Sequence, residues 1–415
     1  MGDSMLAVEL LPMSALGSLS PSAPHVFLEP AYLDPVVRRP PTLANPRVLH
    51  LRRGDRSLWF PVLASVRAGV DVFRFVGHRR SACNILVGDA TLLQDYLNAY
   101  PATVFVLYDM PTVLAGRRVV SIRLYACPVA DWSSQPDFES YAKEAVSKKH
   151  RADLRRSAKK LECLGTLDQV VVRGGQAPDD EIGRLLTHCE AIHRARFGGY
   201  YRGAFLGAFY ARLLRDFPPA LLSVLTLDAV PISFVYGYID ESSHTFIDTA
   251  PAVDPAFSRY SLGHLHLWRL MRYLADRGVR RFDFSKGAAL YKEKWSNSVY
   301  HSYVNIFPGG DPRAQAIGKA YAGYYKAISL ARDAGITVSL RRLLGRLRGP
   351  GRAAVVPYPS PRSDLREVGR FSDIASLPSV LRRAVLEALY RGVRCSVSRT
   401  QPAVVEIEGQ RWAAR

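Results

Sequence analysis

An α+β (mixed α/β) fold, with central mixed sheets flanked by helices, is what this 415-residue sequence predicts. Three observations lead there. Short apolar runs, alternating or continuous and rich in β-branched and aromatic residues, read as strands. Between them lie segments with apolar positions at helical spacing. Hydrophobic residues make up 48% and charged residues 22%, an ordinary globular composition with enough apolar material for sizeable cores.

Residues 1–45 are rich in Pro and Ser and include Pro40-Pro41, the composition of a partly disordered arm or linker. Their weakly apolar start lacks a basic region and is interrupted by Asp3, Glu9 and Pro12, unlike a signal peptide. VLHLRR, SLWFPVLASV and VFRFVG then read as strands, TLLQDYLNAY as a helix, and FVLYDM and VVSIRLYACPV as further strands. Residues 136–164 read as one long amphipathic helix, apolar at Val146, Leu154, Ala158 and Leu161 and basic at Lys148, Lys149, Arg151, Arg155, Arg156, Lys159 and Lys160. A solvated surface accounts for that basic face as well as a ligand does.

LDQVVVRG is expected as a strand, followed by a helix whose acidic start, Asp179-Asp180-Glu181, suits the positive helix N-terminus. A second helix, GAFLGAFYARLLRDF, stops near Pro218-Pro219. Three consecutive strands follow (LLSVLTLD, PISFVYGYID, SHTFIDTA), then a helix over Leu262–Asp276, a strand over Arg280–Ser285 and another at YHSYVNIF. Residues 311–346 look helical. Beyond a Gly/Pro-punctuated break, the last stretch holds the helix PSVLRRAVLEALYRG and two short strand-like runs.

Formal net charge is +19. Such a balance favours polyanions, whether nucleotide cofactors, nucleic acid or an anionic membrane surface. The five cysteines are odd in number and widely spaced without a CxxC. That argues against a disulfide framework and a zinc site and fits a reducing cytoplasm. No uninterrupted apolar window is long enough for a spanning helix.

The candidate chemistry gathers between Asp254 and Trp295. Ser261 is a good N-cap residue type for the helix that follows. A helix N-terminus offers free N–H groups and a positive dipole end to a pyrophosphate, and Gly263 in the first turn would let a phosphate approach the backbone. Arg259, just upstream, adds charge-assisted hydrogen bonds. A plain capped helix with a packing glycine is the alternative. In RRFDFSKG, Phe282 and Phe284 should face a core and Asp283 the opposite side, where it needs a partner or a pocket. Lys286 stands at the C-terminal end of that strand, and Tyr291, Lys292, Lys294 and Trp295 follow.

These segments, with SKKHRADLRRSAKKLECLG, CEAIHRARFGG, FLGAFYARLLRDF, LLSVLTLDAVPISFVYGY, SRYSLGHLHLWRLMRYLADRGVRRFDFSKG and YKEKW, resemble the CelD-type acetyltransferases of the GNAT superfamily, which are similar to Fem-type aminoacyltransferases. The resemblance spans roughly residues 46–310. It implies tandem GNAT-like domains: a degenerate half over 46–165, a catalytic half over 166–346, and an extension of unknown role over 347–415. It also implies an acyltransferase moving an acyl group from acetyl-CoA or another acyl-CoA, without a metal, to a small-molecule or glycan acceptor in the cytoplasm.

In that family pattern Arg259, Ser261, Leu262, Gly263, His264 and Lys286 would hold the donor, and Asp283, Tyr291 and Lys292 would be catalytic. Tyr291 would protonate the leaving thiolate and Asp283 would act as base. His193 and Arg196 would line the acceptor side. Three residues separate Arg259 from Gly263, and His264 stands near where a second small residue is usual. That departure leaves a Fem-type ligase using aminoacyl-tRNA open, as it does a non-catalytic scaffold of a polysaccharide-synthesis system.

Overall fold

In the computed structural model, the described residues are 5–19, 25–37, 45–76, 81, 83–197, 204–287, 289–334, 355–357, 365–367, 375, 377–390, 395–398, 404–407 and 410–414. The architecture is mixed α/β, with mixed sheet flanked by helices, as the sequence predicts. The chain forms two compact units. One comprises residues 1–131, 238–247 and 281–340; the other comprises 132–237, 248–280 and 341–415.

In the first unit, Ala7–Leu11, Asn45–Arg53, Arg56–Arg67 and Val70–Phe75 form an antiparallel run. The strand Ala7–Leu11 lies in the lead-in that the sequence suggests is an arm. Val70–Phe75 then pairs in parallel with Thr103–Met110, the helix Leu92–Ala99 making the crossover. Thr103–Met110 pairs with Ser298–Pro308, which pairs on its other side with Val120–Asp131. Val120–Asp131 pairs with the short strand Arg281–Asp283, whose other neighbour, in parallel, is Thr245–Ile247.

Alternation along these strands divides the core between the two faces. Phe73, Phe75, Phe105 and Leu107 pack with Leu92, Leu93, Tyr96 and Leu97 on one side. Val70, Val72, Val104, Val106, Val304 and Ile306 pack with Ala314, Ala322 and Tyr325 of the helix Pro312–Asp333 on the other. Phe105, Leu107 and Met110 all belong to the first cluster, although the last interval is three residues. The register explains this: Leu107 faces Asn305 and Met110 faces Tyr303, so one extra residue is inserted opposite Val304. The extra residue is a β-bulge, which re-aims side chains and increases local twist. Asp109 lies in it with φ +58°.

The second unit corrects the single helix expected over 136–164. Two helices, Phe138–Ala145 and Lys148–Glu162, are separated by Val146 in extended geometry. Asp137 caps the first by accepting the Ser140 N–H (2.7 Å), and Ser147 caps the second by accepting the His150 N–H (3.2 Å). A serine that satisfies an orphan N–H favours a new start over helix continuation. Leu167–Arg173 pairs antiparallel with Ala220–Leu227, and the helices Asp179–Phe197 and Ala204–Asp216 stand between them in sequence.

The helix Leu262–Ala275 follows a 3₁₀ turn over Pro255–Tyr260. At the C-terminal end, Val355–Pro357, Leu365–Glu367, Cys395–Ser398, Val404–Ile407 and Gln410–Ala414 form one five-stranded sheet, with the helix Ser379–Tyr390 packed beside it. Two strands were expected there; runs of three to five residues fall below the window in which alternation is recognisable. The helix expected over 311–346 is seen as Pro312–Asp333, and residues 335–346 lie outside the described set. No helix among the described residues is long and apolar enough to cross a membrane.

Candidate active site

Asp283 closes the short strand Arg281–Asp283 and is buried opposite Phe282 and Phe284, as the alternation requires. Its partner is Tyr300, whose hydroxyl donates to Asp283 Oδ2 at 2.8 Å. Oδ1 accepts the Ser285 N–H at 2.7 Å. Burial pushes the carboxyl up to about 6, against the hydrogen bonds from Tyr300 and Ser285 and the nearby Lys292 charge, which favour the anion. Burial and the facing carboxylate push the Tyr300 phenol far up, so it stays protonated as a donor.

Beside this pair stands a second one. The Lys286 ammonium donates to Asp109 Oδ2 and to the Ser81 carbonyl (3.0 Å). Asp109 is fully buried, with Ser302 Oγ 3.4 Å from its Oδ1. Burial raises Asp109 to about 6, opposed by Lys286. Two buried thiols complete the cluster: Cys83 is raised by burial and by both aspartates, and Cys127 is raised to about 12 chiefly by burial. Backbone strain accompanies it. Asp109 and Ser285 both have positive φ, uncommon for residues other than glycine and kept where the surroundings over-determine them.

Two lysines expected in the site are met by groups of this chain. Lys286, expected to hold donor phosphate, is paired with Asp109, and a buried carboxylate requires such a partner. Lys292 was expected to be catalytic. Its ammonium is buried and donates to the carbonyls of Phe284 (2.7 Å), Lys286 (3.1 Å) and Ser285 (3.4 Å). Three successive carbonyls converge because Ser285 is left-handed, and a cation is what such a cradle needs. Tyr291, on the single-turn helix Leu290–Glu293, is half-buried with its ring edge-on to Phe284.

In the second unit, Ser261 stands at the N-cap position, as its residue type suggests, but it is left-handed (φ +49°, ψ +31°) and its side chain makes no cap hydrogen bond. The acceptor side chain at this junction is Asp254, which receives the Ala256 N–H at 2.9 Å and caps the preceding 3₁₀ turn. The first turn of the Leu262–Ala275 helix has neither a side-chain cap nor an acidic residue. Leu262 is buried in the core, so only its backbone is available to a ligand. A Cβ on Gly263 would lie 3.2 Å from Val253 Cγ2, which gives the glycine a packing reason as well. His264 meets His150 edge-on at 4.6 Å, and Arg259 is exposed. His193 is buried, lowered by desolvation, and lines a crevice with Cys189, Glu190, Tyr210 and Tyr236. Arg196 does not join it: it is exposed, with its guanidinium over the Phe197 ring.

The same unit holds a buried histidine that the sequence did not single out. Ser233 Oγ donates to the Ala252 carbonyl (3.1 Å), so it accepts from His266 Nδ1–H (2.8 Å). Nε2 then accepts from the Ser223 hydroxyl (2.8 Å), whose oxygen accepts from Gln169 Nε2 (2.9 Å). The neutral ring completes this chain, and burial lowers His266 to about 3. The unfolded chain therefore binds the proton first as pH falls. Stability due to His266 is complete above about 6.5 and is lost towards 3, with a slope of about 1.4 kcal/mol per pH unit. Urea unfolding between pH 7 and 4 is expected to show this slope as the difference between the unaltered chain and His266→Asn; equal pH dependence would refute it.

Residues 148–293 match the family model described as an acetyltransferase (GNAT) domain. No curated protein matches the chain. Similar solved structures include L-PGS from Bacillus licheniformis, at 12% identity over 66% of this chain and 90% of that chain, with a TM-score of 0.39. FemX is 11% identical over 66% and 90%, with a TM-score of 0.46. A tandem GNAT protein from the clavulanic acid biosynthesis pathway is 10% identical over 72% and 98%, with a TM-score of 0.38. The chain carries a GNAT-type acyltransferase domain, and the matched segment includes the uncapped helix start, Asp283 and Tyr291. Among the described residues, no group of three or more His, Cys, Asp or Glu side chains could hold a metal ion.

Proposed function

We propose that the protein is a CelD-type acetyltransferase, moving an acyl group from acetyl-CoA or another acyl-CoA to the amine or hydroxyl of a small-molecule or glycan acceptor. The observation that carries this reading is the uncapped, acid-free start of the Leu262–Ala275 helix inside the matched domain. The N–H groups of its first turn and its dipole favour a pyrophosphate, with Arg259 exposed on the turn before it. In this reading the acceptor attacks the thioester carbonyl, Asp283 takes its proton, and the Tyr291 phenol protonates the departing thiolate. Asp283 suits the first role because a base with pKa about 6 is ionised at neutral pH. The resemblance adds tandem halves, the first of them degenerate.

A Fem-type reading, with aminoacyl-tRNA as donor, is favoured by one observation: the helix Lys148–Glu162 exposes Lys148, Lys149, Arg155, Arg156, Lys159 and Lys160. Thiol release from acetyl-CoA, measured against panels of amines and sugars, tests the choice. Turnover with acetyl-CoA supports the first reading; turnover that needs charged tRNA transfers the assignment to the second. With the active donor, Tyr291→Phe is expected to lower kcat about 10²-fold with little change in donor KM, since general acid catalysis acts in the transition state. An unchanged kcat removes Tyr291 from the mechanism.

A further inference from the structure

The extension beyond residue 346 falls outside the matched domain, yet its helix Ser379–Tyr390 packs on the 3₁₀ turn that precedes the helix start described above. Two polar contacts fix it there. Arg382 Nη2 donates to Asp254 Oδ2 at 2.7 Å. The Tyr260 hydroxyl donates to the Leu386 carbonyl at 3.2 Å. Both are sheltered: Asp254 and Tyr260 are buried, and the Arg382 side chain is 17% exposed.

These anchors hold the two ends of one short segment. Asp254 begins the turn, caps it, and ties it by its own N–H to the Ile232 carbonyl (2.9 Å). Tyr260 ends it. Arg259 lies between them, and Ser261 and Gly263 follow directly. Asp254 uses Oδ1 on the turn, so the charge on Oδ2 needs a buried partner, and Arg382 supplies it. Ser261, left-handed without being glycine, requires surroundings that impose its conformation. Holding Tyr260 from outside the turn is such a constraint.

We propose that the Ser379–Tyr390 helix is a positioning element of the acyl-donor loop, with Arg382 acting through Asp254 and the Leu386 carbonyl acting through Tyr260. Neither group need touch the donor: together they set where Arg259 and the first N–H groups of the next helix stand. This inference rests on the reading of residues 259–263 as the donor loop.

Calorimetric titration of the full chain with acetyl-CoA tests it, beside thermal unfolding of each variant. Arg382→Ala is expected to weaken acetyl-CoA binding about tenfold, a usual size for coupling between a distant group and a site. Arg382→Lys, which keeps the charge, is expected to recover most of the loss. A lowered melting temperature with unchanged acetyl-CoA affinity would overturn the inference, since it is what a merely structural role gives. If Arg382→Ala does not fold, Tyr260→Phe decides, because it removes only the hydroxyl. Weakened acetyl-CoA binding then supports the inference and unchanged binding overturns it. Failure of the unaltered chain to bind acetyl-CoA refutes the donor-loop reading itself, and the inference with it.

Discussion

Asp283→Asn is expected to lower turnover by about 10²–10⁴-fold, the usual contribution of a positioned general base, while the chain stays folded. Asparagine keeps the shape: its one oxygen can still accept the Ser285 N–H, and its NH2 can donate to the Tyr300 hydroxyl oxygen. What it cannot do is take a proton. The unaltered enzyme should therefore show kcat/KM rising through an apparent pKa of about 6 as Asp283 ionises. Tyr300→Phe sharpens the test. The phenol's hydrogen bond favours the carboxylate, so its removal raises the carboxyl pKa further and moves the acid limb of the profile to higher pH. A flat profile in both proteins, or full turnover in Asp283→Asn, would sink the assignment of Asp283 as base.

The second large effect is on stability. Lys286→Met leaves Asp109 buried beside no cation, and breaking a buried pair from one side costs about 3–5 kcal/mol. The cost depends on pH with a definite sign. Asp109 already has a folded pKa, about 6, above the unfolded carboxylate value, and losing Lys286 raises it further. Stability in the variant is thus greatest in acid and falls as pH rises through that shifted value. Adding Asp109→Asn should recover much of the loss, because it removes the stranded charge and asparagine tolerates positive φ. Urea midpoints of the three proteins at pH 5 and 8 decide the matter; an Lys286→Met midpoint equal to that of the unaltered chain at both pH values would show that the pair is inert.

Much of the strand and helix order was legible because period-two and period-3.6 patterns are local. The face of Asp283 followed from Phe282 and Phe284 alone. Its partner did not, since Tyr300 is 17 residues on, in a strand whose neighbours no local pattern names. Asp109 was invisible for a different reason. On a regular pleat it would share the face of Phe105 and Leu107, a core position where a carboxylate reads as an error. The inserted residue removes it from that face, and only the three-residue step from Leu107 to Met110 hints at the insertion. The partners of Lys286 and Lys292 were equally hidden: a cation after a strand suggests an anionic ligand, whereas the groups that meet them, Asp109 and three backbone carbonyls, do not show in the local pattern. Ser261 was read by residue type, and φ at one position is not written in residue type.

The strand Ser298–Pro308 lies between Thr103–Met110 and Val120–Asp131, two strands that are near neighbours in sequence. During synthesis those two leave the ribosome long before the strand that belongs between them. Until it arrives, each presents an open edge of N–H and C=O groups, and pairing with one another is the nearest way to satisfy them. Native assembly must avoid or undo that hairpin. The placement thus makes a late segment the gatekeeper of an early one, and it ties the rate of maturation to a chain closure over a long sequence distance.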